Sequence, residues 1–499
     1  MSHSMKIILP LLKTKTRMTV VTLACLLLLA GCDFAPKYAK PVLQTPAVFK
    51  ELPPEQAAEP GDWKAAEPND DMARGKWWEM FHDSELNALE EQASVSNQSI
   101  AAAASNFLAA RAVVKQAQSQ FYPTLSFTPS VVRSRQFYTT TGPGEAPKPY
   151  TGNEYSLPFD ASWEVDLWGR IRNTVKASVL ESQATRADLE NVRLAVHAEV
   201  AADYFQLRVL DTERRLLDAE VLAYEESLKL TKVEFDAQLA SGQDIELAET
   251  QLDNTRAQAT DLGIQRTLCE HAIATLLGKP ASSFSIATNS QAVKPVAIPF
   301  GVPSQLLERR PDIAATERRV AEANAQIGIA RAAYFPTTTL AGSAGSQSSS
   351  LGNLVSGPAL IWSVGASLAQ TLFDAGKRKA VTEQARAIYQ GTVANYRRTV
   401  LSAFQDVEDN LSTLRILSQE FQEQDAAVAS SQRYLNLATI RYQSGLDSYL
   451  NVITAQTILL SNQRTAMNLR MQQMMASVQL IKSLGGGWDA SHRTAKAIP

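Results

Sequence analysis

The amino-acid sequence contains an internal repeat, and this repeat limits the possible folds more than any other feature. Residues Ala117–Thr124 (AQSQFYPT) match Ala330–Thr337 (ARAAYFPT) at an offset of 213 residues, and Gly169 matches Gly376 at an offset of 207. Four further pairs keep the second offset: Leu239 and Leu446, Ser241 and Ser448, Ile245 and Val452, and Ala248 and Ala455. A register maintained over this length predicts one structural unit used two times. The single change of offset predicts a shorter outer loop in the second unit, with strands and helices matched.

Each repeat is predicted to contain a helix, a strand hairpin and then long helices. The Ala-rich first helix should end at an aromatic–proline pair, because proline cannot continue a helix. The hairpins are predicted at about 124–167 and 337–372, and apolar residues alternate with polar ones along Tyr155–Leu167 and, less strictly, along Trp362–Leu372. Such alternation fits strands with one face in lipid and the other in water. It also fits a soluble sheet with one buried face.

Long segments without helix-breaking residues follow each hairpin. Residues 170–241 (72 residues) and 392–444 (53 residues) contain neither Gly nor Pro. At 1.5 Å per residue, the first would form a helix of roughly 100 Å. Residues 446–484 carry apolar side chains at the 4-3 spacing of a coiled coil, interrupted by the polar residues Thr457 and Arg464. The methionines in this run are predicted to pack between helices.

The first residues have the pattern of an export signal. Basic residues precede an apolar run, and Leu29–Cys32 (LAGC) resembles a bacterial lipobox, which predicts cleavage before Cys32 and its acylation. Ordinary cleavage beside an incidental cysteine is the alternative. Because residues 1–31 carry four positive charges and no acid, their removal lowers the formal net charge from −3 to −7. An acidic chain argues against a nucleic-acid partner. Cys269 would be the only unmodified cysteine, so no internal disulfide is expected.

The strand count constrains how the chain can cross a membrane. No segment after the signal reaches about 18 apolar residues, so a membrane-spanning form would have to be a β-barrel. Two hairpins supply four strands, whereas the smallest membrane barrels use about eight. Several chains would therefore have to pool their strands. Two chains would form a barrel filled by side chains, and three would leave room for an aqueous bore.

Five motifs are distributed along the two repeats. They are Lys76–Trp78 followed by Phe81 and Asp83, then Trp163–Gly169, Leu306–Ile313, Phe373–Gly376 and Leu484–Trp488. With these motifs the chain resembles the TolC-like outer-membrane efflux proteins, in particular the NodT-like lipoprotein subgroup. The resemblance extends from about residue 29 to residue 488, and its most specific part is the Arg-Arg-Pro-Asp-Ile block within Leu306–Ile313.

The resemblance implies a fold, a location and partners. The fold is a mixed α/β membrane protein with two internal repeats, in which four strands per chain contribute to a trimeric twelve-stranded β-barrel that a long periplasmic α-helical barrel continues. The implied location is the cell outer membrane, with a lipid anchor and an extension into the periplasm. The implied partners are two further copies in a homotrimer, a periplasmic membrane-fusion adaptor, an inner-membrane RND-type pump and outer-membrane lipid. The implied function is a passive exit duct for drugs or other small solutes, with no catalytic residues, cofactor or metal.

The predicted organisation follows from the repeat and the motifs. A lipoprotein signal peptide at 1–31 precedes an extended, lipid-anchored segment at 32–72. Repeat one then covers 73–296 and repeat two covers 297–488, before a tail at 489–499.

The resemblance also implies a periplasmic gate at two helix turns, Gln238–Asp244 and Tyr442–Thr454. Leu450 is expected to form an apolar constriction on the threefold axis. Asp244 and Asp447 are expected to make hydrogen bonds between helices that break on opening. Simple helix packing is the alternative for Tyr442 and Leu450.

The sequence departs from the family pattern in these turns. Asn451 and Thr454 are neutral where relatives often carry Asp, which argues against an acidic ring there. Gln238 replaces the usual glycine of the first turn. The gate is therefore expected mainly in the second repeat.

Three other functions are weighed against the efflux duct. A duct for type I protein secretion would have the same fold. A soluble periplasmic coiled-coil adaptor would use the same long helices. A periplasmic hydrolase has no Gly-x-Ser-x-Gly motif to support it, although triad residues need not be adjacent in sequence.

Overall fold

The computed structural model describes residues 34–43, 46, 49–51, 75–138, 148–289 and 309–486. The predicted signal peptide, Cys32 and the tail lie outside the described residues, as do the predicted boundaries at 72 and 296. The chain forms two compact units. The first comprises Met1–Pro41, Leu108–Ala184 and Glu317–Asn395, and the second comprises Val42–Phe107, Thr185–Thr316 and Tyr396–Pro499.

The helices repeat with equal lengths. In chain order they are α1 (Ser84–Ser96), α2 (Gln98–Ser119), α3 (Arg170–Asp236), α4 (Gly242–Leu276), α5 (Pro311–Ala332), α6 (Lys377–Gln443) and α7 (Tyr449–Ser483). Helices α2 and α5 each contain 22 residues, α3 and α6 each contain 67, and α4 and α7 each contain 35. This matched series confirms the two-repeat prediction. Among the described residues, no helix combines the length and the apolar character that crossing a membrane requires.

The long helices do not coincide with the Gly- and Pro-free segments. Helix α3 ends at Asp236 and not at Ser241, because Gln238 adopts a left-handed φ of 62° and turns the chain. Helix α6 begins at Lys377 and therefore includes Gly391, which had set the limit of the second glycine-free segment. A single glycine inside a helix costs about 1 kcal/mol, which a helix of 67 residues tolerates.

Aspartate–glycine motifs precede the two longest helices, α3 and α6, whose N-terminal ends lie in the first unit. The Asp166 carboxylate accepts hydrogen bonds from two backbone N–H groups in the first turn of α3, at 2.8 and 3.2 Å. Asp374 likewise accepts from the backbone N–H of Arg378 at 3.1 Å. Gly169 and Gly376 have φ values of 76° and 87°, which favour glycine. These contacts explain the motifs, since helix N-termini leave N–H groups that a carboxylate can satisfy.

The strands of the first unit form one antiparallel sheet. They are β1 (Thr124–Phe127), β2 (Ser130–Tyr138), β3 (Lys148–Val165), β4 (Thr337–Ser348) and β5 (Leu360–Ala369). Strands β1 and β2 pair with successive parts of β3, and the order continues through β4 to β5. Strands β1 and β2 therefore behave as one interrupted strand, so each repeat contributes one hairpin.

The register divides the sheet into an apolar and a polar face. The apolar face contains Leu125, Phe127, Val131, Leu157, Phe159, Trp163, Leu340, Trp362, Val364 and Leu368. The row Ser126, Asp160, Ser343 and Ser363 represents the polar face. In the single chain, Trp362 is 75% exposed and Val364 82%. The predicted alternation is confirmed. Nothing in the described part of the chain covers the apolar face of the sheet at these two side chains.

The prediction of a shorter outer loop in the second hairpin was wrong. Residues 139–147 connect β2 to β3, and residues 349–359 connect β4 to β5, so the second connection is not the shorter. The difference lies in the strands, because β3 has 18 residues and β5 has 10. A residue count between two landmarks cannot distinguish a shorter loop from shorter strands. The first hairpin therefore extends beyond the second.

The Arg-Arg-Pro-Asp block and the end of α7 meet in the second unit. The guanidinium of Arg310 makes a two-point contact with Asp312, at 3.1 and 2.8 Å. Its remaining nitrogen donates to Asp406 of α6 at 3.0 Å and to the carbonyl of Ser483 at 3.2 Å. One largely buried cation, with 12% of its side chain exposed, thus joins the start of α5 to α6 and to the C-terminus of α7. The most specific motif of the sequence has a packing role.

Gly485→Ala is expected to lower the free energy of unfolding by about 2 kcal/mol. Gly485 has a φ of 88°, and an added Cβ would lie 2.9 Å from the backbone carbonyl carbon of Arg309. Guanidinium unfolding of the purified protein, followed by circular dichroism, measures the loss. Gly263→Ala is the control, because an added Cβ there has no neighbour within 4 Å. Equal stability of the two variants would contradict this packing.

Candidate functional site

The α3–α4 turn satisfies its own polar groups. Ser241 precedes α4, and its hydroxyl oxygen accepts from the backbone N–H of Asp244 at 3.3 Å. The Asp244 carboxylate accepts in return from the Ser241 backbone N–H at 2.9 Å and from its hydroxyl at 2.8 Å. This capping box satisfies N–H groups that a helix start leaves without partners. Within the single chain the Asp244 carboxylate closes its own turn, and its predicted hydrogen bond to another helix stays a prediction.

The α6–α7 turn is held by Asp447. Its carboxylate accepts from the guanidinium of Arg441 at 3.2 Å, from the backbone N–H of Ser448 at 2.9 Å and from the side-chain amide of Asn451. The hydrogen bond from Asn451, followed by that from Arg441, lowers the pKa of Asp447 below its usual range. Asp447 therefore links the end of α6 to the start of α7 within its own turn, and its role in opening stays a prediction.

A tyrosine pair connects this second turn to helix α3. The Tyr442 hydroxyl donates to the carboxylate of Glu234, and the Tyr449 hydroxyl lies 2.7 Å from that of Ser227. The two tyrosine rings pack with centroids 5.2 Å apart. Burial, reinforced by the hydrogen bond to Glu234, raises the pKa of Tyr442, so its phenol stays protonated and remains a donor. These two side-chain hydrogen bonds thus join the α6–α7 turn of the second repeat to helix α3 of the first repeat.

An apolar cluster supports the tyrosine pair. Its buried members are Ala248, Ala438, Tyr449, Val452, Ile453 and Ala455, with Tyr442 packed against them. Leu450 is 50% exposed, and Thr454 is exposed on the same side of α7 one turn later, where its hydroxyl donates to the Leu450 carbonyl at 2.8 Å. Leu450 therefore projects away from this cluster, and its apolar side chain is available for contact with another surface.

Sequence reasoning missed Glu234, Tyr449 and Ser227. The repeat itself carries a signal that would have found Glu234. At the offset of 207, Glu234 corresponds to Arg441, so the two repeats carry opposite charges at one position. The next position holds Phe235 in one repeat and Tyr442 in the other, and only the tyrosine has a donor for Glu234.

A polar cavity of about 660 Å³ lies between α3, α4 and α7, farther from the turns. The guanidinium of Arg464 crosses it, with Nε donating to Glu213 at 2.6 Å and Nη1 to Gln258 at 3.0 Å. Thr457 lines the same cavity. The two polar interruptions of the predicted coiled-coil seam therefore face this cavity, while Met474 of the same seam is fully buried in helix packing.

Three hydrogen-bonded side chains in the second unit have the connectivity of a catalytic triad. The Ser94 hydroxyl lies 3.3 Å from Nε2 of His197, whose Nδ1 lies 2.6 Å from the carboxyl of Glu90. Burial raises the pKa of Glu90 well above its usual range and lowers the pKa of His197 to about 4. Burial thus disfavours the charged forms of both groups, whereas a triad needs a carboxylate to orient and stabilise the imidazolium.

The surroundings of Ser94 also argue against catalysis. Ser94 lies inside α1, where successive backbone N–H groups are hydrogen-bonded along the helix and are not free to stabilise an oxyanion. Its hydroxyl already donates to the Glu90 carbonyl at 3.0 Å. Among the described residues, no group of three or more His, Cys, Asp or Glu side chains is placed to hold a metal ion.

Comparison with known proteins gives a consistent set of relatives. The family model described as "Outer membrane efflux protein" matches residues 89–279 and 302–486. The solvent efflux pump outer membrane protein SrpC of Pseudomonas putida is 32% identical over 473 residues, which cover 93% of this chain and 97% of SrpC. The antibiotic efflux pump outer membrane protein ArpC of the same species is 31% identical over 466 residues, which cover 92% of this chain and 94% of ArpC.

The fold is similar to that of solved channels. The structure of the outer-membrane channel OprN superposes with a TM-score of 0.82 at 28% sequence identity, covering 92% of this chain and all of that one. The likeness therefore includes both repeats.

Gln238→Gly is expected to stabilise the folded protein by about 1 kcal/mol, because glycine adopts a φ of 62° without the strain that a Cβ introduces. Thermal unfolding of the purified protein measures the gain. The matched control is Gly445→Ala, since Gly445 is the counterpart of Gln238 and has a φ of 70° with no neighbour near an added Cβ. That control should lose about as much as Gln238→Gly gains. A loss in both variants would contradict a purely conformational effect.

Proposed function

This chain belongs to the outer membrane efflux protein family and is the outer-membrane channel of a tripartite efflux system. We propose that three copies of it form a duct, and that the α6–α7 turn closes this duct. The observation that carries the gate is the hydrogen bond between Tyr442 and Glu234, which ties this turn to the first repeat. Leu450 lies beside it with half of its surface exposed. In a threefold assembly, three copies of Leu450 would meet near the axis and form an apolar constriction.

The sheet supports the homotrimer. One edge is formed by β1 and β2 and the other by β5, and neither has a second strand partner among the described residues. Unpaired strand edges are not tolerated in lipid, so neighbouring copies would have to pair them. Three copies would provide a twelve-stranded barrel with an aqueous interior, lined by the polar face of the sheet.

Contacts next to the lipobox support a lipid anchor at Cys32. Phe34 stacks on Phe335 with ring centroids 4.3 Å apart, and Phe335 stacks on Trp168 at 5.0 Å. The indole N–H of Trp168 donates to the Pro336 carbonyl at 2.7 Å. The chain just after the acylated cysteine would therefore be held where β3 ends and β4 begins. Aromatic residues favour such membrane interfaces.

Charge in one groove of the second unit supports docking of a periplasmic adaptor, which would connect the duct to an inner-membrane RND-type pump. The groove lies between α3 and α4, has a volume of about 660 Å³, and is lined by Glu225, Lys229, Lys232, Asp236, Glu249, Asp253 and Arg256. At the offset of 207, the counterparts are Gln432, Asn436, Thr439, Gln443, Gln456, Leu460 and Gln463, all neutral. Only the first repeat would therefore bind an adaptor by charge, and that contact should weaken with salt.

The cargo is proposed to be small organic compounds. SrpC and ArpC are named for solvent and antibiotic efflux, which favours small solutes over secreted proteins.

Tyr442→Phe is expected to raise the open fraction of the channel about tenfold, because it removes a hydrogen bond to a charged acceptor and keeps the ring packing. Leu450→Ala should also raise conductance by widening the constriction. Planar-bilayer recording of the purified protein measures both. The exposed Tyr434 of α6 provides the control, Tyr434→Phe, which should behave as wild type. Absence of conductance from wild type and all variants would contradict the channel, and unchanged conductance in both gate variants would move the gate elsewhere.

Acidification is expected to open the channel through Asp447. The hydrogen bonds that lower its pKa below 3.8 contribute stability above that value and are lost as the pH falls through the lowered pKa. Conductance of the wild type should therefore rise below about pH 4. Asp447→Asn should conduct more at neutral pH and show a weaker rise on acidification. Asp425→Asn, at an exposed position of α6, is the control. A rise of wild-type size in Asp447→Asn would assign the acid response to another group.

A further inference from the structure

The first hairpin is longer than the second, so its outer segment has no strand of the second hairpin beside it. Pairing between β3 and β4 ends at Tyr155 and Ser348. Pairing between β2 and β3 continues to Tyr138 and Lys148. Among the described residues, the sheet outward from Glu154 thus consists of β2 and β3 alone.

Two arginines lie on the apolar face of this extension. The face of β2 that contains Val131 continues through Arg133 and Arg135, which pair with Asn153 and Thr151 of β3. Both arginines are exposed. No acidic residue stands on this face of the described extension, because Glu154 points to the opposite face. The apolar face therefore ends in a positively charged patch, Arg133 and Arg135.

The dimensions place this patch at one border of the apolar band. Ten residues separate Val165 from Tyr155 along β3, which is about 34 Å of strand at 3.4 Å per residue. A tilt of about 40° reduces this length to a height of about 25 Å, the height of the apolar band of outer-membrane proteins. The helices adjoin the Val165 end, so the arginines lie at the end away from the periplasm.

We propose that Arg133 and Arg135 bind the phosphates of an anionic glycolipid of the outer leaflet, such as lipid A. This inference rests on the proposed membrane orientation of the channel. A guanidinium matches phosphate with two parallel hydrogen bonds, and it tolerates the weakly hydrated border between acyl chains and headgroups. The patch is continuous with the lipid-facing surface, which identifies a lipid rather than a soluble anion as its ligand.

Titration of the detergent-solubilised protein with fluorescent lipid A tests the proposal. Wild type should bind bisphosphorylated lipid A tightly and its dephosphorylated form at least tenfold more weakly. The double variant Arg133→Gln with Arg135→Gln should lose roughly 10- to 30-fold in affinity for the phosphorylated form, since each basic residue near an anionic surface contributes severalfold. The double variant Arg133→Lys with Arg135→Lys should retain part of the affinity, because it keeps charge and loses the two-point geometry.

A matched control separates this site from general charge. Lys115→Gln with Lys379→Gln removes the same charge from exposed helical positions and should bind as wild type. Equal weakening in this control, or equal affinity of wild type for the two lipid forms, would overturn the proposal. Competition by inorganic phosphate at millimolar concentration would also overturn it, because the site would then hold a soluble anion. Conductance recorded in parallel should be unchanged in the arginine variants, so failure of the channel and failure of lipid binding are distinguishable.

Discussion

Backbone hydrogen bonding at the edges of the sheet is the constraint on which the rest of the structure depends. A single chain pairs its strands from β1 and β2 through to β5, and the described residues provide no partner beyond either edge. The same sheet exposes an apolar face, which includes Trp362 and Val364. In the proposed membrane orientation, an apolar surface that favours lipid and edges that lipid cannot satisfy would require strands from other copies. Duplication of the unit helps, because each copy then brings two hairpins.

The two repeats share a backbone but differ in chemistry where their helices turn. Gln238 and Gly445 occupy one position and both have positive φ, so the turn geometry is the same. Side chains around the turns differ, and the second repeat reaches across to Glu234 through Tyr442. A repeated scaffold can therefore keep one backbone geometry while the side chains at its two turns make different contacts. The charge of the α3–α4 groove follows the same division, since its counterparts in the second repeat are neutral.

Some predictions succeeded because they depend only on local pattern. Alternation along β3 predicted its two faces, and the aromatic–proline pairs predicted where α2 and α5 end. Others failed because they needed distances that the sequence does not contain. The second outer loop was expected to be shorter, yet the difference lies in the strands, of which β3 has 18 residues and β5 has 10. Glu234 was missed because its signal lies in the comparison of the two repeats and not in its neighbours along the chain.

By itself, the sequence determined the duplication, the order of helices and strands, and the polar and apolar faces of the sheet. These properties follow from residue periodicity, which acts over a few neighbouring residues. Only the tertiary structure decided that the first hairpin is longer in its strands, that Arg310 joins three helices, and that Tyr442 bonds to Glu234. Such contacts join residues that are far apart in the chain. Their formation depends on helix packing and register, which no local pattern records.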